Sequence, residues 1–221
     1  MSDEQNEISI SSCIWWVFGY FCVMLLYTYI DIVLWRKMPL FISEWLNILT
    51  IIICTCIYLV VLVHKTGLNL KEKLKLNLKS LVLAVCCATF FYLVLDCFID
   101  PVIERLFPLS EENYQNTISG LKENIITGVI HVCIIAPVTE EILIRGFVLD
   151  ALKRKYSVVL ALLISTMLFA LLHFNMVQTL SALVSGCVLG ILYLKTDSLA
   201  STILAHSLYN LISFFVLIFS A

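Results

Sequence analysis

Two acids and an arginine stand in 136-APVTEEILIRGF-147, inside an apolar run about as long as a bilayer is thick. A charge held at mid-membrane costs roughly 2.5–3.5 kcal/mol even on an insertion scale, so such side chains need partners or water. Glu141 and Arg145 are four apart with the acid on the N-terminal side, the favoured order for an ion pair on one helix. Adjacent helical residues point about 100° apart, which leaves Glu140 off that face and without a local cation. Glu140 must then be protonated or in contact with water. A leftover carboxylate in a partly dry site is what general-base chemistry requires. The competing reading makes all three residues a helix-packing clamp, although a clamp needs only one acid. Pro137, three residues before Glu140, removes a backbone bond to Cys133 and is expected to kink the helix and free a carbonyl toward a cavity.

Two more segments carry polar side chains at helical spacing. In 169-FALLHF-174, Phe169 lies one turn before His173 and can pack on its imidazole, with Asn175 a hydrogen-bonding neighbour. In 205-AHSLYN-210, His206 and Asn210 share one face. That pair suits either a polar pocket or plain inter-helix bonding worth about 0.6–2 kcal/mol. His131 is nine residues before Glu140, about 180° round a straight helix, and is expected to face elsewhere. Asp31, Asp96, Asp100 and His64 fall near span ends, within reach of interfacial water.

The elements that must position these groups are membrane helices. The 221 residues are 61% hydrophobic and 14% charged, against about 25% charged in soluble domains. That predicts an all-α polytopic transmembrane bundle forming a single membrane domain over 1–221. Seven spans are predicted, at roughly 13–35, 45–63, 80–99, 125–149, 157–174, 177–194 and 198–219, each near the ~20 residues a crossing needs. Residues 1–123 hold three spans and an outer loop, and 124–221 hold the polar motifs. The acidic start lacks the basic region of a secretory signal, so the first apolar run is expected to stay as the first membrane helix. Trp15, Trp16, Trp35 and Trp45 fall at span ends, as interfacial belts require. Most of the nine cysteines lie in apolar runs and read as packing residues. The segment 100–123 reads as the longest outer loop, lying along the interface. The 186-GCVLG-190 pair reads as a close-packing helix face.

Lys65, Lys71, Lys73, Lys75, Lys79, Lys153, Arg154, Lys155 and Lys195 fall on one side, and Arg36, Lys37, Arg105 and Lys122 on the other. The positive-inside rule then puts the N-terminus in the cytoplasm and the C-terminus outside. No basic patch or nucleic-acid motif appears, so nucleic acid is dropped as a partner. By helical rise, Glu140 sits about 20 Å, His206 about 15 Å and His173 about 25 Å from the inner helix ends. The outlying His173 implies that span five tilts or that its far end dips inward.

The ordered set EExxxR (Glu140, Glu141, Arg145), FxxxH (Phe169, His173) and HxxxN (His206, Asn210) resembles the CPBP family, the CAAX-protease and bacteriocin-processing (Abi) intramembrane endopeptidases. The resemblance spans about 124–212. It implies that Glu140 and His173 activate a water, and that His206 and Asn210 stabilise the oxyanion, with Glu141 and Arg145 holding Glu140 in place. It also implies a membrane-associated peptide or small membrane protein as substrate, with membrane lipids as surroundings. Compact loops point to a bacterial cell membrane and to bacteriocin or pheromone maturation or self-immunity. The alternative is a non-catalytic immunity or scaffold protein that binds a bacteriocin or sensor partner. A transporter is disfavoured by the lack of a repeated half. Zinc is the one cofactor to weigh, with Glu140, His173 and His206 as its ligands. No HExxH is present, and metal-free water activation is favoured.

Overall fold

The computed structural model describes residues 8–122 and 124–219, with only the backbone given for 117–122. The acidic residues at the start of the chain lie outside the described residues. All described regular structure is helical: α1 (Ile10–Val33), α2 (Leu40–Thr66), α3 (Leu70–Lys73), α4 (Leu78–Leu106), α5 (Pro108–Lys122), α6 (125–155), α7 (Val158–Ala170), α8 (Met176–Thr196) and α9 (Leu199–Phe219). The sequence places the boundaries. Ser9, Asn69, Asn77, Ser157 and Asn175 accept backbone amides at helix starts, and Gly67 ends α2 in the left-handed region.

Five helices are long and apolar enough to cross a membrane: α1 with its following turn, α2, α4, α8 and α9. Large side chains such as Phe41, Leu78, Phe98 and Phe219 stay exposed, as suits a surface solvated by lipid. The polar-motif helix α6 is central. Every residue from Glu141 to Asp150 is buried, the all-round burial of a helix with neighbours on each side. α2, α7 and α9 pack against α6, and α9 in turn packs on α4 and α8. The glycines of α8 make the close contacts expected of them. A Cβ on Gly186 would stand 2.9 Å from the Phe169 ring, and one on Gly190 would collide with the Leu162 side chain. All nine cysteines are free.

Three expectations are corrected. Span five is not a full crossing: α7 stops at Ala170 after 13 residues, about 20 Å of rise against ~30 Å of hydrocarbon. The chain then turns through Leu171–Asn175. His173 therefore sits on a short helix's end, which removes the depth mismatch. The described part of the 100–123 segment, to Lys122, is mostly helix and not loop, because α4 runs on to Leu106 and α5 begins at Pro108. Asn175 does not serve His173. Its carboxamide caps α8 and donates to the Ser110 carbonyl at 2.6 Å, tying α5 to the α7–α8 turn.

The lysine-bearing loops converge at one end of the bundle. Lys73 meets Asp150 at 3.2 Å and Asp197 at 2.9 Å, Lys153 meets Asp150 at 2.8 Å, and Arg154 bonds the other Asp150 oxygen. Tyr193 donates to Asp150 at 3.1 Å. Burial alone would raise the Asp150 carboxyl, but Lys153, Arg154 and Lys73 outweigh it and hold the group at about 2, below its ordinary 3.8. A depressed carboxyl stabilises the fold above the ordinary carboxylate range and loses that contribution as pH falls toward 2. Asp150→Asn should lower stability by about 2 kcal/mol at neutral pH. In thermal unfolding of the solubilised protein, the gap from wild type should close as pH approaches 2.

Candidate active site

The site is built outward from Arg145, which is 1% exposed. Its Nη1 donates to Glu141 Oε1 at 2.8 Å and its Nη2 to the Gly186 carbonyl at 3.0 Å. The guanidinium also lies over the Phe169 ring, 4.3 Å from the centroid. Glu141 is fully buried and takes a second contact from His206 Nδ1 at 3.0 Å. A carboxylate paired with arginine can only accept, so His206 Nδ1 carries the proton. The other ring nitrogen, Nε2, then points toward Glu140, 4.0 Å from its Oε2. His206 thus spans the two glutamates, although they face different directions on α6.

Phe169 is the second organiser. Its ring meets His173 edge-on at 5.2 Å and His206 at 5.8 Å between centroids. Its carbonyl, near the end of α7, lies 3.1 Å from His173 Nδ1. A carbonyl can only accept, so this bond puts the proton on Nδ1 and leaves His173 Nε2 as the free acceptor.

Asn210 contacts a backbone defect. Around Val129–Ile135 the ladder of α6 is π-helical, and the Ala136 amide bonds the His131 carbonyl five residues back. The next amide in that register would reach Val132, but residue 137 is proline and has none. Asn210 Nδ2 donates to the Val132 carbonyl instead, at 2.9 Å. Pro137 thus frees a carbonyl as expected, and the wider register makes it that of Val132 and not Cys133.

Glu140, His173, His206, Asn210 and Phe169 line a single cavity of about 400 Å³, within the usual range for small-ligand sites. Glu141 and Arg145 lie behind the wall. Glu140, His173 and His206, the ligands zinc would use, share that cavity. Among the described residues, however, no three His, Cys, Asp or Glu side chains group as a metal-ligand set.

Residues 122–212 match the family model described as type II CAAX prenyl endopeptidase Rce1-like. This stretch of the chain is thus similar to the CAAX-protease, or CPBP, family. The matched stretch contains all three motifs, and the family is one of intramembrane proteases. No curated protein and no solved structure matches the chain.

The cavity also holds residues assigned elsewhere from sequence. His131 lines it, because π turns take more residues per turn and nine residues no longer bring half a rotation. Asp96 and Asp100 line it as well, together with Glu104 and Tyr114. The signal in the sequence was the four-residue spacing of Asp96, Asp100 and Glu104 on one helix. α8, read as packing alone, supplies Gln178, Ser181 and Ser185 to the wall.

Asn210→Ala should leave the Val132 carbonyl without its partner and cost about 1–3 kcal/mol. Pro137→Ala restores an amide in register, so the same Asn210 change should cost much less in that background. A double-mutant cycle by thermal unfolding checks this, and additive effects would refute the link.

Proposed function

We propose that the protein is an intramembrane endopeptidase that hydrolyses a peptide bond of a membrane-associated peptide by metal-free water activation. The observation that carries this reading is the convergence on one cavity of Glu140, His173, His206 and Asn210, from α6, the turn after α7, and α9. The similarity of residues 122–212 to a protease family supports it.

In this mechanism Glu140 and His173 Nε2 take up a water, and Glu140 accepts its proton as the oxygen attacks the scissile carbonyl carbon. The carbonyl π bond becomes an oxyanion, met by hydrogen bonds from His206 Nε2 and the second Asn210 Nδ2 hydrogen. For Nε2 to donate while Nδ1 bonds Glu141, the His206 ring must carry both protons. Its charge, with that of Arg145, then balances Glu140 and Glu141. Collapse returns the proton from Glu140 to the leaving nitrogen, breaks the C–N bond and releases a carboxylic acid and an amine.

Most of the lining that α4, α6, α8 and α9 supply comes from the later halves of α4 and α9 and the earlier halves of α6 and α8, toward the end of the bundle opposite the Lys73–Asp150–Asp197 cluster. With the N-terminus cytoplasmic under the positive-inside rule, the cavity opens toward the outer face. That placement favours an extracytoplasmic peptide, as in bacteriocin or pheromone processing or self-immunity in a bacterial cell membrane, over a cytoplasmic prenylated tail.

Glu140→Gln, His173→Ala and His206→Ala should each lower turnover of a membrane-associated reporter peptide by about 10²–10³-fold. The yield of Glu140→Gln and His173→Ala should stay near wild type. Arg145→Ala should instead deplete folded protein, because it strands the buried Glu141 at a cost of about 3–5 kcal/mol. Full processing by all three site variants would sink the peptidase reading.

A further inference from the structure

We propose that the outer half of the cavity is a specificity subsite for an extended peptide bearing lysine or arginine at alternate positions, an inference that rests on the peptidase reading above. Asp96, Asp100 and Glu104 step along α4 every four residues and all line the cavity that reaches Glu140. Four residues of α-helix, as from Asp100 to Glu104, rise about 6 Å, and the Asp96–Asp100 step, which crosses the π-helical stretch Tyr92–Ile99, is somewhat shorter. Side chains on one side of an extended chain recur about every 6.6 Å. The two repeats are close enough for side chains to bridge over the two steps of the ladder.

The ladder's charge is uncompensated. Asp96 accepts from the Tyr209 hydroxyl at 2.7 Å and Asp100 from the Ser181 hydroxyl, both neutral donors. No lysine or arginine among the described residues lines the cavity. Ionisable side chains inside a membrane bundle mark substrate paths when no structural counter-ion meets them.

His131 points to a ligand independently of these acids. It lines the same cavity from α6, half-buried, and has no hydrogen-bond partner among the described residues; its one ring contact among them is the edge of Tyr27. A ring nitrogen facing a cavity without a partner is placed to bond a peptide main-chain group. The subsite therefore offers carboxylates for alternate side chains and an imidazole for the backbone.

The test uses the full chain in detergent carrying Glu140→Gln, so that binding is read without hydrolysis. The probes are short fluorescent peptides identical except for a Lys-x-Lys, Gln-x-Gln or Glu-x-Glu segment. Anisotropy should show the lysine peptide binding at least about tenfold tighter than the glutamine one, and the glutamate one weakest. Adding Asp96→Asn and Asp100→Asn, which keep acceptors for Tyr209 and Ser181, should bring the first two within about twofold. His131→Leu should weaken both by the same factor. Raising salt should shrink the lysine preference without any substitution at the ladder. Equal binding of the three peptides, or a preference that survives both substitutions and salt, would overturn the subsite. Wild-type protein that shows the preference yet cleaves none of the peptides would support the subsite and overturn the peptidase reading.

Discussion

The buried pair of Glu141 and Arg145 is the contact on which the rest of the site depends. Two charges without water are tolerable only when hydrogen bonds and opposite charge offset their lost hydration. Arg145 meets the carboxylate, the Gly186 carbonyl and the face of Phe169. Each of these partners then fixes something else. Glu141 orients His206, Phe169 supports both histidine rings, and Gly186 brings α8 against α7 because no Cβ intervenes. The pair also frees its neighbour. With the only buried arginine among the described residues committed to Glu141, Glu140 is left to face the cavity, as the proposed role of base requires.

A straight-helix bundle of this composition would have no reason to hold a cavity. Hydrocarbon side chains would close it. The opening comes from backbone irregularity: α7 ends a third short of the bilayer, and α4 and α6 contain π-helical stretches at Tyr92–Ile99 and Val129–Ile135. Each irregularity exposes backbone groups that lipid cannot satisfy, and polar side chains meet them. Asn210 serves the Val132 carbonyl, His173 that of Phe169, and Thr179 that of His173 at 2.6 Å. Side chains read from sequence for their chemistry are thus also the repairs that keep a hollow in the membrane from collapsing.

Where the sequence was readable follows from the same irregularity. The four-residue pairs Glu141–Arg145, Phe169–His173 and His206–Asn210 were legible because a single turn hardly senses the local register. Glu141 and Arg145 bond as expected, and Phe169 touches His173, although a π stretch begins at Ile142. Inference over longer distances failed. Nine residues from His131 to Glu140 cross the π stretch, and the accumulated angle was wrong. The end of α7 at Ala170 had no proline or glycine to announce it. Its cause is tertiary, in the Asn175 cap and the Ser110 tie that begin α8 early. Asp96 and Asp100 were set aside because α4 was taken to end near them, whereas it continues to Leu106.

The two ends of the bundle divide their labour electrostatically. At the lysine-rich end, Asp150 and Asp197 each have more than one cationic partner, and Tyr193 lies under Lys73 and Lys153. That end closes the bundle. At the other end the acids of α4 meet only hydroxyls, and the space beside them stays open down to His206. A cation drawn from outside the chain would complete at the open end what lysines of the chain itself complete at the closed one. The asymmetry suits the proposed entry of a peptide from the open end, and the leftover carboxylate of Glu140 lines the same cavity as the acids of α4.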